Sequence, residues 1–160
     1  MREGAMAGQE IDATDLKILR VLQQNAEYSM QELAEKVGLT HTPCWRRCNR
    51  LKEIGLILGQ TAMLDPKLAG IGVNAICDIV LQHHSEEALI AFEKAVHAHP
   101  EIVACFEMTG PKDYTLRVAV PSLEDYERFF KQKLLHLPGV ATVNTSFAFS
   151  TVKWTTALPI

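Results

Sequence analysis

The chain has 160 residues, 48% hydrophobic and 22% charged, with a formal net charge of -3. That composition is typical of a folded protein of one domain or two small ones, and the overall charge gives no pointer to nucleic acid. No apolar run approaches the ~20 residues that span a bilayer, and "MREGAMAGQEIDATD" lacks the apolar core of a signal peptide, so no membrane partner is expected. A cytoplasmic location follows as the expectation, with Cys44, Cys48, Cys77 and Cys105 as reduced thiols.

Residues 1–11 carry no pattern and read as a flexible N-terminal arm. From Asp12 the text turns helical: Leu16, Leu19, Val21 and Leu22 fall on one side, and Asp12 or Thr14 can cap the start. After the break at "EYS", Ser29 with Glu32 has the spacing of a capping box for "MQELAEKV", whose stripe is Leu33 and Val37. Gly38 ends it, as glycine often does just past a helix. Thr40 can cap a third helix from His41 to about Ile54, with Pro43 tolerated in its first turn and Gly55 as its stop. "LILGQTAML" reads as a strand pair or short wing, and "DPKLAGIG" as a turn-rich linker.

Beyond the linker the period changes. "VNAICDIVL" alternates as a strand. "SEEALIAFEKAVHAH" is an amphipathic helix capped by Ser85, with Leu89, Phe92 and Val96 inward. "EIVACFEMT" and "YTLRVAV" are strands joined at "GPKD", a hairpin signal. A helix capped by Ser122 follows, with Leu123, Phe130 and Leu134 inward, and "VATVNTSFAFSTVKW" is a long last strand. Strand, helix, strand, strand, helix, strand is the order of ferredoxin-like folds, with a four-stranded antiparallel sheet and both helices on one face. The fold class is therefore α+β, with a helical N-terminal domain and a C-terminal βαββαβ domain.

The third helix holds the chain's charge asymmetry. Residues 41–53 include Arg46, Arg47, Arg50 and Lys52 against Glu53 alone. At helical spacing Cys44, Cys48, Leu51 and Ile54 share a buried stripe, where the two cysteines serve as small apolar residues. C-x3-C lacks the C-x2-C knuckle and has no second Cys/His pair beside it, so no metal is expected. The opposite side presents Thr42, Arg46 and Asn49, flanked by Trp45 and Arg50, with Arg47 nearer the core edge. Threonine, arginine and asparagine bond base edges and phosphates, and a short helix, a glycine turn and such a helix make a helix-turn-helix.

At this point the sequence resembles the leucine-responsive regulatory protein and AsnC (Lrp/AsnC) family of transcription regulators. The residues that carry the resemblance are "DATDLKILRVLQQNAEYSMQELAEKVGLTHTPCWRRCNRLKEIGLILGQTAMLDP", "TGPKDY" and "LPGVATVNTS", spanning about residues 11–155. It implies a winged helix-turn-helix DNA-binding domain over 12–65, a linker over 66–72, and a ferredoxin-like effector-binding and oligomerisation domain over 73–157. It also implies a regulator of amino-acid metabolism or transport that binds double-stranded DNA at a pseudo-palindromic operator. The assembly would be a homodimer, with tetramer or octamer as higher forms, and the small ligand amino-acid-like. The DNA-binding set is then Thr40, His41, Thr42, Trp45, Arg46, Arg47, Asn49 and Arg50. The family usually has an aliphatic residue where Cys48 stands.

The hairpin has its own logic. Gly110 permits a turn and close approach of a ligand, free turn N–H groups can hold a carboxylate, and Asp113 can accept from an ammonium. Thr109, Gly110, Pro111, Lys112, Asp113 and Tyr114 are the expected effector residues, with Thr142, Asn144 and Ser146 on the last strand as weaker ones. A plain hairpin with Asp113 as a turn residue is the competing reading. His83, His84, His97 and His99 lie at element ends with no metal motif, so neither a cofactor nor an enzyme is expected. Sirohaem decarboxylases resemble the same two-domain fold and are the alternative enzyme class. A winged helix that binds protein is the other alternative.

Overall fold

The computed structural model describes residues 11–160, so the N-terminal arm expected over 1–11 lies outside it apart from Ile11. The chain divides into two compact units. One runs to Ala62 and includes Lys153–Ile160, and the other spans Met63–Val152.

The helical unit has α1 (Ala13–Gln24), α2 (Met30–Val37) and α3 (His41–Glu53). Asp12 caps α1 through the N–H groups of Thr14 and Asp15, and the Asp15 carboxylate accepts in return from Asp12 N–H. Ser29 and Glu32 form the expected capping box on α2. Gly38 follows α2 at φ 74°, a left-handed conformation that favours glycine, and so turns the chain into α3. The core is Ile18, Leu19, Leu33, Ala34, Val37, Cys44, Cys48 and Leu51, with Leu16, Val21 and Leu22 only partly covered. Burying one such Leu or Ile side chain contributes about 1.5–3 kcal/mol. Two expectations fail here. Ile54 is the C-cap of α3 and stays 38% exposed, because the helix ends before that position can complete the stripe. No strand forms between residues 54 and 72, so the expected strand pair is absent from this single chain.

The second unit has β1 (Val73–Leu81), α4 (Glu86–His97), β2 (Ile102–Glu107), β3 (Tyr114–Val120), α5 (Leu123–Gln132) and β4 (Val140–Phe147). The sheet order is β2-β3-β1-β4 with every pair antiparallel, which is the ferredoxin-like arrangement. Ser85 and Ser122 cap α4 and α5 as expected. Ala75, Cys77, Ile79 and Leu81 alternate inward from β1, and Tyr114, Leu116, Val118 and Val120 from β3. They pack with Phe92, Val96, Tyr126, Phe129, Leu134 and Leu137 into one core. Leu123 was expected inward but is exposed. Tyr126 and Phe129 point in instead, and Tyr126 bonds Thr145 Oγ1 at 2.6 Å. The last strand ends at Phe147 rather than running to Trp154, and Phe149 beyond it is fully exposed.

Candidate nucleic-acid interface and effector hairpin

The two sides of α3 have different chemistry. Cys44, Cys48 and Leu51 are buried against α1 and α2. Burial pushes both thiols up, Cys48 to about 11 with a smaller contribution from Cys44 beside it. The thiolate is the nucleophile and metal ligand, so protonated, enclosed thiols act as packing. Among the described residues no group of three or more His, Cys, Asp or Glu could hold a metal ion.

Thr40, His41, Thr42, Trp45 and Arg46 are exposed and Asn49 is half-buried. Thr40 occupies the N-cap position, but its hydroxyl makes no cap bond, contrary to the expected capping role. Arg46 forms no ion pair or hydrogen bond among the described residues, and Trp45 is 51% exposed. The start of α3 and its outer face are therefore open to a partner, with a cation at the centre.

Arg47 and Arg50 are held differently. Arg47 Nη1 donates to Asp12 Oδ2 at 2.6 Å and to Asp15 Oδ1 at 2.8 Å, and Arg50 Nη2 donates to Asp15 Oδ2. Asp15 is fully buried, the one buried charged side chain of the described core. Burial by itself would raise its pKa; hydrogen bonds from Arg47 and Arg50 outweigh that and hold the carboxyl below its ordinary 3.8. Asp12 is lowered too, first by the Asp15 N–H and then by Arg47. Two carboxylates three apart at the start of α1, the cap Asp12 and Asp15, thus meet two arginines three apart on α3 and fix α3 to its support. Sequence reasoning missed Asp15. The available signal was that matched spacing, Asp12 and Asp15 against Arg47 and Arg50.

The hairpin between β2 and β3 closes with Met108 N–H on Asp113 O at 2.8 Å, and Gly110 sits at φ 105°, where a side chain is strained. The N–H groups of Thr109, Gly110 and Lys112 have no partner among the described residues and can receive an anion. The rest of "GPKDY" is divided. Asp113 accepts Leu81 N–H at 2.7 Å and faces His84 Nε2 at 2.8 Å, and these hold its carboxyl below the ordinary value, the Leu81 N–H first. Its carboxylate already secures the end of β1, which weakens it as a receptor for an ammonium. Tyr114 lies apart from the other hairpin residues: its ring is buried on the helix side, tilted against Phe92, and its hydroxyl donates to Glu93 at 3.1 Å. Strand alternation sends it away from the face that carries its neighbours. Pro111 is exposed at the tip.

Lys112 turns to the open sheet face and donates to Asp78 Oδ1 at 2.7 Å, where Thr115 also donates at 2.8 Å. Lys112 first, then Thr115, hold the Asp78 carboxyl low. Thr142, Asn144 and Ser146 lie on that same face, paired in register with Val80, Asp78 and Ile76. Arg117 donates to Asn74 nearby at 2.8 Å. Asp78, Asn74, Thr115 and Arg117 were not anticipated, although Asn74 and Asp78 stand in the polar register of "VNAICDIVL".

Comparison with known proteins agrees with this layout. Residues 11–57 match the winged helix-turn-helix DNA-binding family, and residues 74–158 match the Lrp/AsnC ligand binding domain. The chain is similar to the DNA-binding transcriptional activator DecR of Escherichia coli (strain K12), 42% identical over 150 residues that cover 94% of this chain and 99% of DecR. It is 34% identical to the glutamate uptake regulatory protein of Zymomonas mobilis over 151 residues, covering 94% and 92%. A transcriptional regulator from Neisseria meningitidis, solved as a complex with L-Met, superposes with a TM-score of 0.88 at 33% identity, covering 94% of this chain and 97% of that one. These relatives regulate transcription, so the decarboxylase and protein-binding readings of the fold give way. The chain is a DNA-binding transcriptional regulator and belongs to the Lrp/AsnC family.

Proposed function

We propose that the chain acts as a dimer on a pseudo-palindromic operator, reads it with the outer face of α3, and answers to an amino-acid-like ligand. The carrying observation is the division of the arginines: Arg46 has no partner among the described residues and lies beside exposed Thr42 and Trp45, while Arg47 and Arg50 are bonded to Asp12 and Asp15. Arg46 and Asn49 then approach base edges, Thr40, His41, Thr42 and Trp45 contact the backbone, and Arg47 and Arg50 hold the helix. Regulation of amino-acid metabolism or transport is supported by the glutamate uptake regulator among the relatives.

Two further observations support pairing. Leu58, Met63, Leu64 and Leu68 are each at least 64% exposed, and the open sheet face adds Ile76, Val80 and exposed Phe106. Soluble monomers rarely leave so much apolar surface in water, and a second copy would cover it. Two recognition helices related by a two-fold axis read half-sites about one helical turn apart, and such dimers can build tetramers or octamers. The ligand reading draws on the L-Met complex of the Neisseria relative and on the N–H groups of Thr109, Gly110 and Lys112, which have no partner among the described residues. Its carboxylate would meet those groups, with Thr142, Asn144 and Ser146 toward its other end.

Selection of binding sites from a random duplex pool, with light scattering of the full chain, tests the DNA and assembly claims. An enriched inverted repeat and a dimer or larger species are expected. A monomer, or no enriched repeat, would overturn them. A thermal-shift screen of the twenty amino acids tests the ligand claim: at least one should raise the melting temperature, and Gly110→Val should abolish that rise.

A further inference from the structure

The C-terminal segment 153–160 follows the ferredoxin-like unit in sequence yet groups with the helical unit. It is held on the outer face of α1 by two side chains three residues apart. Gln23 binds the backbone of Leu158 reciprocally, accepting its N–H at 2.6 Å and donating to its carbonyl at 3.2 Å, and Arg20 Nε donates to the Ile160 carbonyl at 2.7 Å. A side-chain amide used in this way imitates the partner strand of a sheet, so it recognises extended backbone rather than a particular side chain. The segment is shaped to fit. Thr155 Oγ1 accepts the Ala157 N–H at 3.1 Å, and Ile160 N–H reaches the Leu158 carbonyl at 2.9 Å across Pro159. The fixed φ of proline suits the centre of such a three-residue turn, which brings the Ile160 carbonyl round to Arg20.

The contact is polar and shallow. Leu158 is 68% exposed and Ile160 43%, so the apolar burial that holds the segment down is partial. Hydrogen bonds near water and little covered apolar surface are the features of a region that opens at low cost. Neither Arg20 nor Gln23 belongs to the α3 face or to the Asp15 cluster.

We propose that Arg20 and Gln23 form a docking site for the chain's own residues 155–160, and that this releasable strap is a second route, besides the linker, by which the ferredoxin-like unit influences DNA binding. Hydrogen exchange followed by mass spectrometry on the full chain tests the docking. The peptide covering 154–160 should exchange about tenfold more slowly than the same peptide free in solution. Gln23→Ala should return it to the free rate, while peptides from the α1–α3 core keep their protection. Exchange at the free rate in the unmodified chain, or protection that survives combined Arg20→Ala and Gln23→Ala, would overturn the docking. The influence on DNA is read separately on a duplex that the unmodified chain binds. Gln23→Ala should shift the Kd by roughly threefold or more, and an unchanged Kd with protection lost would overturn the second route. The exchange measurement needs no DNA, so it stands or falls apart from the operator and ligand readings.

Discussion

Arg46 and Arg47 are sequence neighbours of one chemical type, but they sit on regions of α3 with opposite character. On the inner flank Arg47 and Arg50 are bonded to Asp12 and to Asp15, and Asp15 is fully buried. On the outer flank Arg46 has no partner among the described residues. The open face of the sheet differs again: its polar side chains bond one another, Lys112 in an ion pair with Asp78 and Arg117 in a hydrogen bond to Asn74. An unpaired cation on a rigid helix attracts an anion, whereas a self-paired polar face has no such demand and suits a copy of itself or a small polar guest. On the proposed reading, the reach of a carboxylate, rather than residue type, divides binding from support.

Removing the anchor should have the largest effect. Asp15→Ala leaves Arg47 and Arg50 without their shared buried partner and should cost about 3–5 kcal/mol, the range for breaking a buried ion pair, in chemical denaturation of the helical unit. A loss below about 1 kcal/mol would mean that the inner flank behaves like ordinary surface. The same carboxylate sets a pH dependence. Its folded pKa is depressed below 3.8, so its contribution is complete above that value and is lost as pH falls through the lower folded pKa. Acid titration of helix content should show this loss in the unmodified chain and not in Asp15→Asn.

On the sheet unit, Asp113→Ala removes an acceptor for the Leu81 N–H and the partner of His84, for an expected cost of about 1.5–3 kcal/mol. A variant with unchanged stability would return Asp113 to the role of ligand receptor. The smallest effect belongs to Cys48→Val, a near-isosteric change in a buried stripe. It should cost under about 1.5 kcal/mol and leave DNA affinity unchanged. Zinc bound stoichiometrically by the unmodified chain and missing from this variant would contradict the packing role of the thiols.

Much of this was legible in the residues, because the signals were local. The Asp12 cap, the Ser29–Glu32 capping box, Gly38, the alternation of "VNAICDIVL" and the "GPKD" hairpin each specify a few neighbouring dihedrals, and the structure follows them. The misreadings share a cause in long-range contacts. Asp15 has its arginine partners 32 and 35 positions away, so nothing in the local text singled it out. Leu123 lost the inward place to Tyr126, whose hydroxyl finds Thr145 on β4, and helical spacing alone could not rank the two. The apolar text after Gly55 and beyond Phe147 read as strand, yet a strand needs a partner edge, and residues 54–72 and 148–160 form no ladder here. At the candidate site the outer residues of α3 were legible from periodicity. The support roles of Arg47 and Arg50, and the turn of Tyr114 into the core, depended on tertiary contacts.

The most direct test of the divided arginines is the affinity of Arg46→Ala and Arg47→Ala for a selected operator and for random duplex. Arg46→Ala should lose about 1–3 kcal/mol on the operator and distinctly less on random DNA, with stability unchanged. Arg47→Ala should lower stability and weaken both duplexes alike. Equal losses of Arg46→Ala on both duplexes, or an Arg47→Ala protein of full stability that has lost operator preference, would contradict the account.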